Sequence, residues 1–364
     1  MVKDNIPYLL ALHSINGLGP IRLKALLDYF EDPKKVWEAS VKELLQLGIP
    51  KNTASLLEET RRHLDPENYA QQISNSGIKW TTLFDENYPD LLKEIYGPPI
   101  VLYYLGDFKP EDKRAVAVVG TRKMTGYGRL VTEKLTAELV EAGVTIVSGL
   151  ARGVDTQAHQ TAIKKEGRTV AVLGGGLLKI FPPENTQLAK QIISGFGALV
   201  SEFPPDAPSL PGNFPTRNRI ISGLSLAVLV TEAAQDSGSL ITAKLALEQG
   251  REVFAVPGPI TSELSSGPAS LIKQGASLVT EAGEILEELG ISKGKRVKGE
   301  GESGLKLNEV ERRILETLAS ENKHVDEFCR ELQLQASIVS ASLIKMEIYG
   351  LVKNLGGGIY VKVC

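Results

Sequence analysis

Six short apolar runs, each followed by an amphipathic stretch, leave this chain few possible architectures. They are AVAVVG (115–120), TIVSG (145–149), TVAVLG (169–174), GALVSEF (197–203), LAVLVTEA (226–233) and EVFAVPG (252–258). Strands that are apolar on both sides must be covered on both faces, and strands joined by crossover helices run parallel. The fold class is therefore α/β, with a Rossmann-like parallel sheet as its core. Helices are expected from about Gly128 to Ala142, over DTQAHQTAIKK, after Pro183, after Arg217 and over SLITAKLALEQG.

The chain has 364 residues, enough for two or three folded units. Residues 1–65 read as a helical SAM or helix-hairpin-helix-like domain. GLGPIRLKALLDYF (17–30) is a tight glycine turn opening an amphipathic helix, with Pro20 in its first turn, and VKELLQLGIPKNTASLLEE repeats the plan. Such turns either hold a DNA phosphate on their free amides or only pack as a small bundle. Residues 66–290 form the core, with the less regular 66–114 expected to cap it. Residues 291–304 are charged, Gly-rich and aperiodic, a linker. Residues 305–364 suit a winged helix, with helices at LNEVERRILETLA, HVDEFCREL and SIVSASLIKMEIYG before a two-stranded wing, VKNLGGGIYVKV.

Composition narrows the function classes. No stretch of about eighteen uncharged apolar residues is present, so no membrane span is expected. The first residues lack a signal-peptide pattern, and the two cysteines, Cys329 and Cys364, form no disulfide framework, so a cytoplasmic protein is expected. The four histidines fall in no metal-ligand spacing, so neither metal nor cofactor is expected. A net charge of −3 is unlike that of a basic nucleic-acid binder, which leaves binding to a local positive groove.

In an open parallel sheet, ligands bind outside the carboxyl ends of the strands. Those ends carry Gly120-Thr121-Arg122, Ser148-Gly149, Gly174-Gly175-Gly176, Ser201-Glu202, Thr231-Glu232 and Pro257-Gly258. Small residues at a rim let a backbone approach a ligand closely. The first turn, GTRKMTGYGR, is neither a dinucleotide fingerprint nor a Walker loop. It places Arg122, Lys123 and Arg129 around a helix N-terminus, where phosphate is attracted. SGLARGVDTQAH sets Arg152 on the same rim, and spaces Asp155 and His159 for one helical face. In PGNFPTRNRIISGLS, Phe214 stands before Arg217, Asn218 and Arg219, an aromatic beside two guanidinium groups. Single-stranded nucleic acid is held by such a stacking platform and cationic track; the alternative is a buried Phe214 with arginines bonded to carboxylates. Ser237, Gly238 and Ser239 open a helix and suit either a phosphate or an N-cap.

In order along the chain, VVGTR, YGR, SGLARGVDTQAH, the FPPEN turn, SEFPP, FPTRNRIISGLS and SGSLITAKLALEQGREVFAVPG resemble the DNA-processing protein A (DprA/Smf) family over roughly residues 80–280. The resemblance implies a non-enzymatic protein of natural transformation. Such a protein binds and protects incoming single-stranded DNA, forms a homodimer through its core and helps load the RecA recombinase. It implies that Arg122, Phe214, Arg217, Arg219 and the Ser237-Gly238-Ser239 turn lie in the DNA groove, with Gly120, Lys123, Arg129, Gly149, Arg152, Asn218 and Glu232 around them. Pro211-Gly212 departs from members that place a lysine shortly before the phenylalanine.

Two other readings share parts of this pattern. A related Rossmann-like family cleaves N-glycosidic bonds, and Glu202 or Glu232 would serve there as acid or base, although that family's Pro-Gly-Gly-x-Gly-Thr loop is absent. A winged helix also suits a transcription regulator. Residues 305–364, however, carry eight Lys and Arg against eight Asp and Glu, a poor balance for gripping duplex phosphates.

Overall fold

A computed structural model describes residues 5–291, 309–318, 323–348, 352–354 and 357–362. Most of the expected linker, residues 292–304, lies outside the described residues, as do residues 305–308 of the winged-helix segment. The chain divides into two compact units, 1–296 and 297–364.

The first unit opens with six helices: α1 (Ile6–His13), α2 (Pro20–Phe30), α3 (Pro33–Glu38), α4 (Val41–Gln46), α5 (Lys51–Thr60) and α6 (Pro66–Asn75). Two strands follow, β1 (Lys79–Thr82) and β2 (Val101–Gly106), with the short α7 (Asp90–Lys93) between them. The expected alternation then appears as β3 (Ala115–Val119), α8 (Gly126–Glu141), β4 (Thr145–Ser148), α9 (Val154–Lys164), β5 (Thr169–Val172), α10 (Thr186–Gln191), β6 (Gly197–Ser201), α11 (Asn213–Gly223), β7 (Ala227–Val230), α12 (Gly238–Glu248) and β8 (Glu252–Ala255). α13 (Ser266–Lys273), the two-residue β9 (Ser277–Leu278) and α14 (Ala282–Glu288) complete the unit.

The sheet order is β1-β2-β6-β5-β4-β3-β7-β8-β9, parallel from β6 to β9. Every residue of β3 is buried. Val116 and Val118 pack with α8 and α14, while Ala115, Ala117 and Val119 pack on the opposite face with α11 and α12. That two-sided burial is what an uninterrupted apolar strand requires. The chain leaves β3 in one direction as far as β6, then returns to place β7 on the other side of β3, creating a switch point between them.

Two expectations change here. Residues 66–114 do more than cap the core: β2 pairs antiparallel with both β1 and β6 and lengthens the sheet. The helices of 1–65 do not stand apart either, since Leu9, Leu23, Leu44 and Leu57 share one apolar core with Tyr103, Ala171 and Leu199 of the sheet.

The second unit contains α15 (Glu309–Thr317), β10 (Lys323–His324), α16 (Val325–Leu332), α17 (Ala336–Ile348), β11 (Val352–Asn354) and β12 (Ile359–Lys362). Ile314, Phe328, Val339, Leu343 and Met346 form its core. The wing gains a third strand, because β10 pairs with β12 beside the expected β11–β12 pair.

Candidate nucleic-acid interface

The rim at the carboxyl ends of β3, β4, β5 and β7 is built around Phe214, at the start of α11. The ring is half-buried and lies against the backbone of Gly174, where an added Cβ would come within 2.9 Å of its Cδ1. The Arg122 guanidinium stands 5.5 Å from the ring centroid and that of Arg217 stands 6.0 Å away, both within cation–π range.

The two arginines differ in exposure. Arg122 is at the surface, whereas Arg217 is 4% exposed. Arg217 Nη1 donates to Gly149 O at 2.7 Å and also to Val172 O. Burial lowers its guanidinium pKa to about 10; Asp155 opposes that shift and nearby Arg122 adds to it. The expected phosphate contact at Arg217 is therefore corrected, because the side chain is buried and its Nη1 is engaged by backbone oxygens at the ends of β4 and β5. Arg219 is corrected for a related reason, since its guanidinium is ion-paired with buried Glu202.

The rim glycines also differ from expectation. A Cβ on Gly149 would lie 2.4 Å from Arg217 Nη1, and the equivalent approach at Gly174 is to Phe214. These two positions are small so that the protein's own side chains can close over them, which leaves no gap at either for an incoming backbone.

Glu232 ends β7 as a buried carboxylate that accepts from Thr125 N at 2.9 Å and Thr125 Oγ1 at 2.6 Å. Its backbone oxygen accepts from Thr121 N at 2.7 Å, which closes the β7 end over Gly120 and the first turn. Glu232 thus caps the turn that presents Arg122. Ser237 is the N-cap of α12, its hydroxyl 2.8 Å from that of Ser239, and Asn218 Nδ2 donates to Gly238 O at 3.2 Å. Asn218 therefore ties α11 to this turn.

Asp155 and His159 do not pair. Asp155 accepts from Gly149 N and Ala151 N, and burial raises its pKa against the opposing pull of Arg217. His159 Nδ1 meets Thr169 Oγ1 at 2.7 Å.

What remains open on the rim is cationic. Arg122, Lys123, Arg129 and Arg152 line one cleft of about 380 Å³ between the first turn and the start of α9. Arg152 is bonded to exposed Glu184. Among the described residues, Arg122, Lys123 and Arg129 have no ion-pair partner. No group of His, Cys, Asp and Glu among the described residues could hold a metal, and no described helix is long and apolar enough to cross a membrane.

The mostly parallel sheet, with a basic cleft beside a half-buried phenylalanine at its rim, and the separate winged helix define an α/β protein of the kind that comparison with known proteins also finds. Residues 79–290 match the family model for DNA recombination-mediator protein A, and residues 301–358 match the DprA winged helix domain. The chain belongs to the DprA/Smf family. Protein Smf of Synechocystis is 35% identical over 393 residues, spanning 98% of each chain. DNA processing protein DprA of Bacillus subtilis is 48% identical over 214 residues, 58% of this chain and 72% of that one. The crystal structure of DprA from Streptococcus pneumoniae covers 78% of this chain and 97% of its own, at 35% identity and a TM-score of 0.69. A Helicobacter pylori DprA structure, described for its single-stranded DNA binding mode, covers 58% and 95% at 32% identity and a TM-score of 0.52.

Proposed function

We propose that this chain binds single-stranded DNA along the rim. Arg122, Lys123, Arg129 and Arg152 would meet phosphates and Phe214 a base. The observation that carries this reading is the half-buried Phe214 ring set beside Arg122, the start of a cationic cleft. Gly120, Gly149, Asn218, Glu232 and the Ser237-Gly238-Ser239 turn hold the rim in shape, and Arg217 and Arg219 support it from below. Neither carboxylate considered for glycosidic chemistry is at liberty for acid–base work, since Glu202 serves Arg219 and Glu232 serves Thr125. The family supports a cytoplasmic, non-catalytic role in transformation that protects incoming DNA and passes it to the RecA recombinase as a homodimer. Exposed Ile241, Leu247 and Ile260 suit a protein contact of that kind.

A salt titration of oligonucleotide binding tests the proposal. Single strands should bind more tightly than duplex of the same sequence, with affinity falling steeply as salt rises. Equal affinity for both forms overturns it.

A further inference from the structure

Phe181, of the FPPEN turn, stands at the rim beside Phe214 with much of its ring open to solvent. It ends the loop leaving β5 and is 47% exposed, unusual for a phenylalanine kept only for the core. Its ring centroid is 5.9 Å from that of Phe214, with the planes inclined at 41°. Three residues further on, Glu184 holds Arg152 at the cationic cleft. The aromatic pair therefore continues directly into the basic track. A base sandwiched between the two rings would need roughly 6.8 Å, twice the 3.4 Å stacking rise of nucleic acid, so none fits between them. Phe214 is also partly engaged, by Gly174 on one side and by Arg122 and Arg217.

We infer that Phe181 is a second base-stacking platform, taking on its outer face the base adjacent to the one met by Phe214. The inference rests on the single-stranded DNA reading above and adds to it a second nucleotide position. Stacking on an aromatic face is tolerant of sequence, so the position accepts any base and favours none by hydrogen bonding.

The test uses the full chain and a fluorescein-labelled single-stranded oligonucleotide, with affinity and salt slope measured for Phe181→Ala, Phe181→Leu, Phe181→Trp and Arg122→Ala. Phe181→Ala and Phe181→Leu should both bind about tenfold more weakly with the salt slope unchanged, and Phe181→Trp should stay within about twofold of the unaltered protein. Leucine keeps an apolar contact on Phe214 but has no π-face, so it separates stacking from folding. If Phe181→Leu binds as the unaltered protein does while Arg122→Ala is weakened, the second platform is overturned and the binding proposal stands. If the unaltered protein does not prefer single strands, both fall together.

Discussion

Arg122 and Arg217 approach the same phenylalanine ring, yet removing them should have opposite signatures. Arg122 is exposed and without an ion-pair partner, so Arg122→Ala should weaken single-stranded DNA binding and make the salt slope shallower by about 0.7. Folding stability should change by no more than about 0.5 kcal/mol. Arg217 is enclosed, bonded to Gly149 O and close to the buried carboxylate of Asp155. Arg217→Ala strands that carboxylate and opens a hole, so about 3–5 kcal/mol of stability should be lost. Urea denaturation beside oligonucleotide binding separates the two. An Arg217→Ala protein of normal stability and shallower slope would return the residue to the DNA surface. FPTRNR alone does not distinguish these roles, because it names four polar side chains at a helix start without saying which way the helix rolls. Burial of one arginine against strand ends is decided by the neighbouring strands, which the local sequence does not contain.

At the level of elements, α9 is fastened to β5 by one buried histidine. Thr169 Oγ1 donates to Ile146 O at 2.8 Å, so its lone pair accepts from His159 Nδ1–H, leaving Nε2 unprotonated and without a partner. Burial, helped by the positive charge of Arg217, lowers the His159 pKa to about 3 from an ordinary 6.5. A lowered folded pKa means that the stabilising contribution is complete above pH 6.5 and is lost as pH falls towards 3. The slope is about 1.4 kcal/mol per pH unit, or about 2 kcal/mol between pH 6.5 and 5. Both tryptophans, Trp37 and Trp80, lie in the first unit, so their fluorescence in urea reports that unit alone. His159→Leu should flatten the acid side of the stability profile; an unchanged pH dependence would place the titrating group elsewhere. Strands β3 to β8 were legible because each lies in a continuous apolar run. β1 and β2 escaped because KWTT is mostly polar although its two threonines are buried, and β2 emerges half-exposed at Tyr104. The pairing of β2 with β6, on which β1 then builds, depends on an edge that only the assembled sheet provides.

For the whole molecule, the two compact units divide the charge unevenly in kind. Every residue proposed to touch DNA, together with Phe181, belongs to the first unit. The 305–364 segment carries equal numbers of acidic and basic side chains, and two of its cations, Lys323 and Lys345, are bound to Glu331 and Glu311. The salt slope of single-strand binding counts phosphate contacts, so it reports directly whether the second unit contributes any. Removing residues 297–364 should leave the slope unchanged and the Kd within about threefold, a difference of about 0.7 kcal/mol. Fluorescence anisotropy of the shortened and full chains with one oligonucleotide, each across a range of salt, makes the comparison. A slope reduced by about 0.7 or more would mean that the winged helix grips at least one phosphate. An unchanged slope leaves the second unit for a partner other than the strand held on the rim.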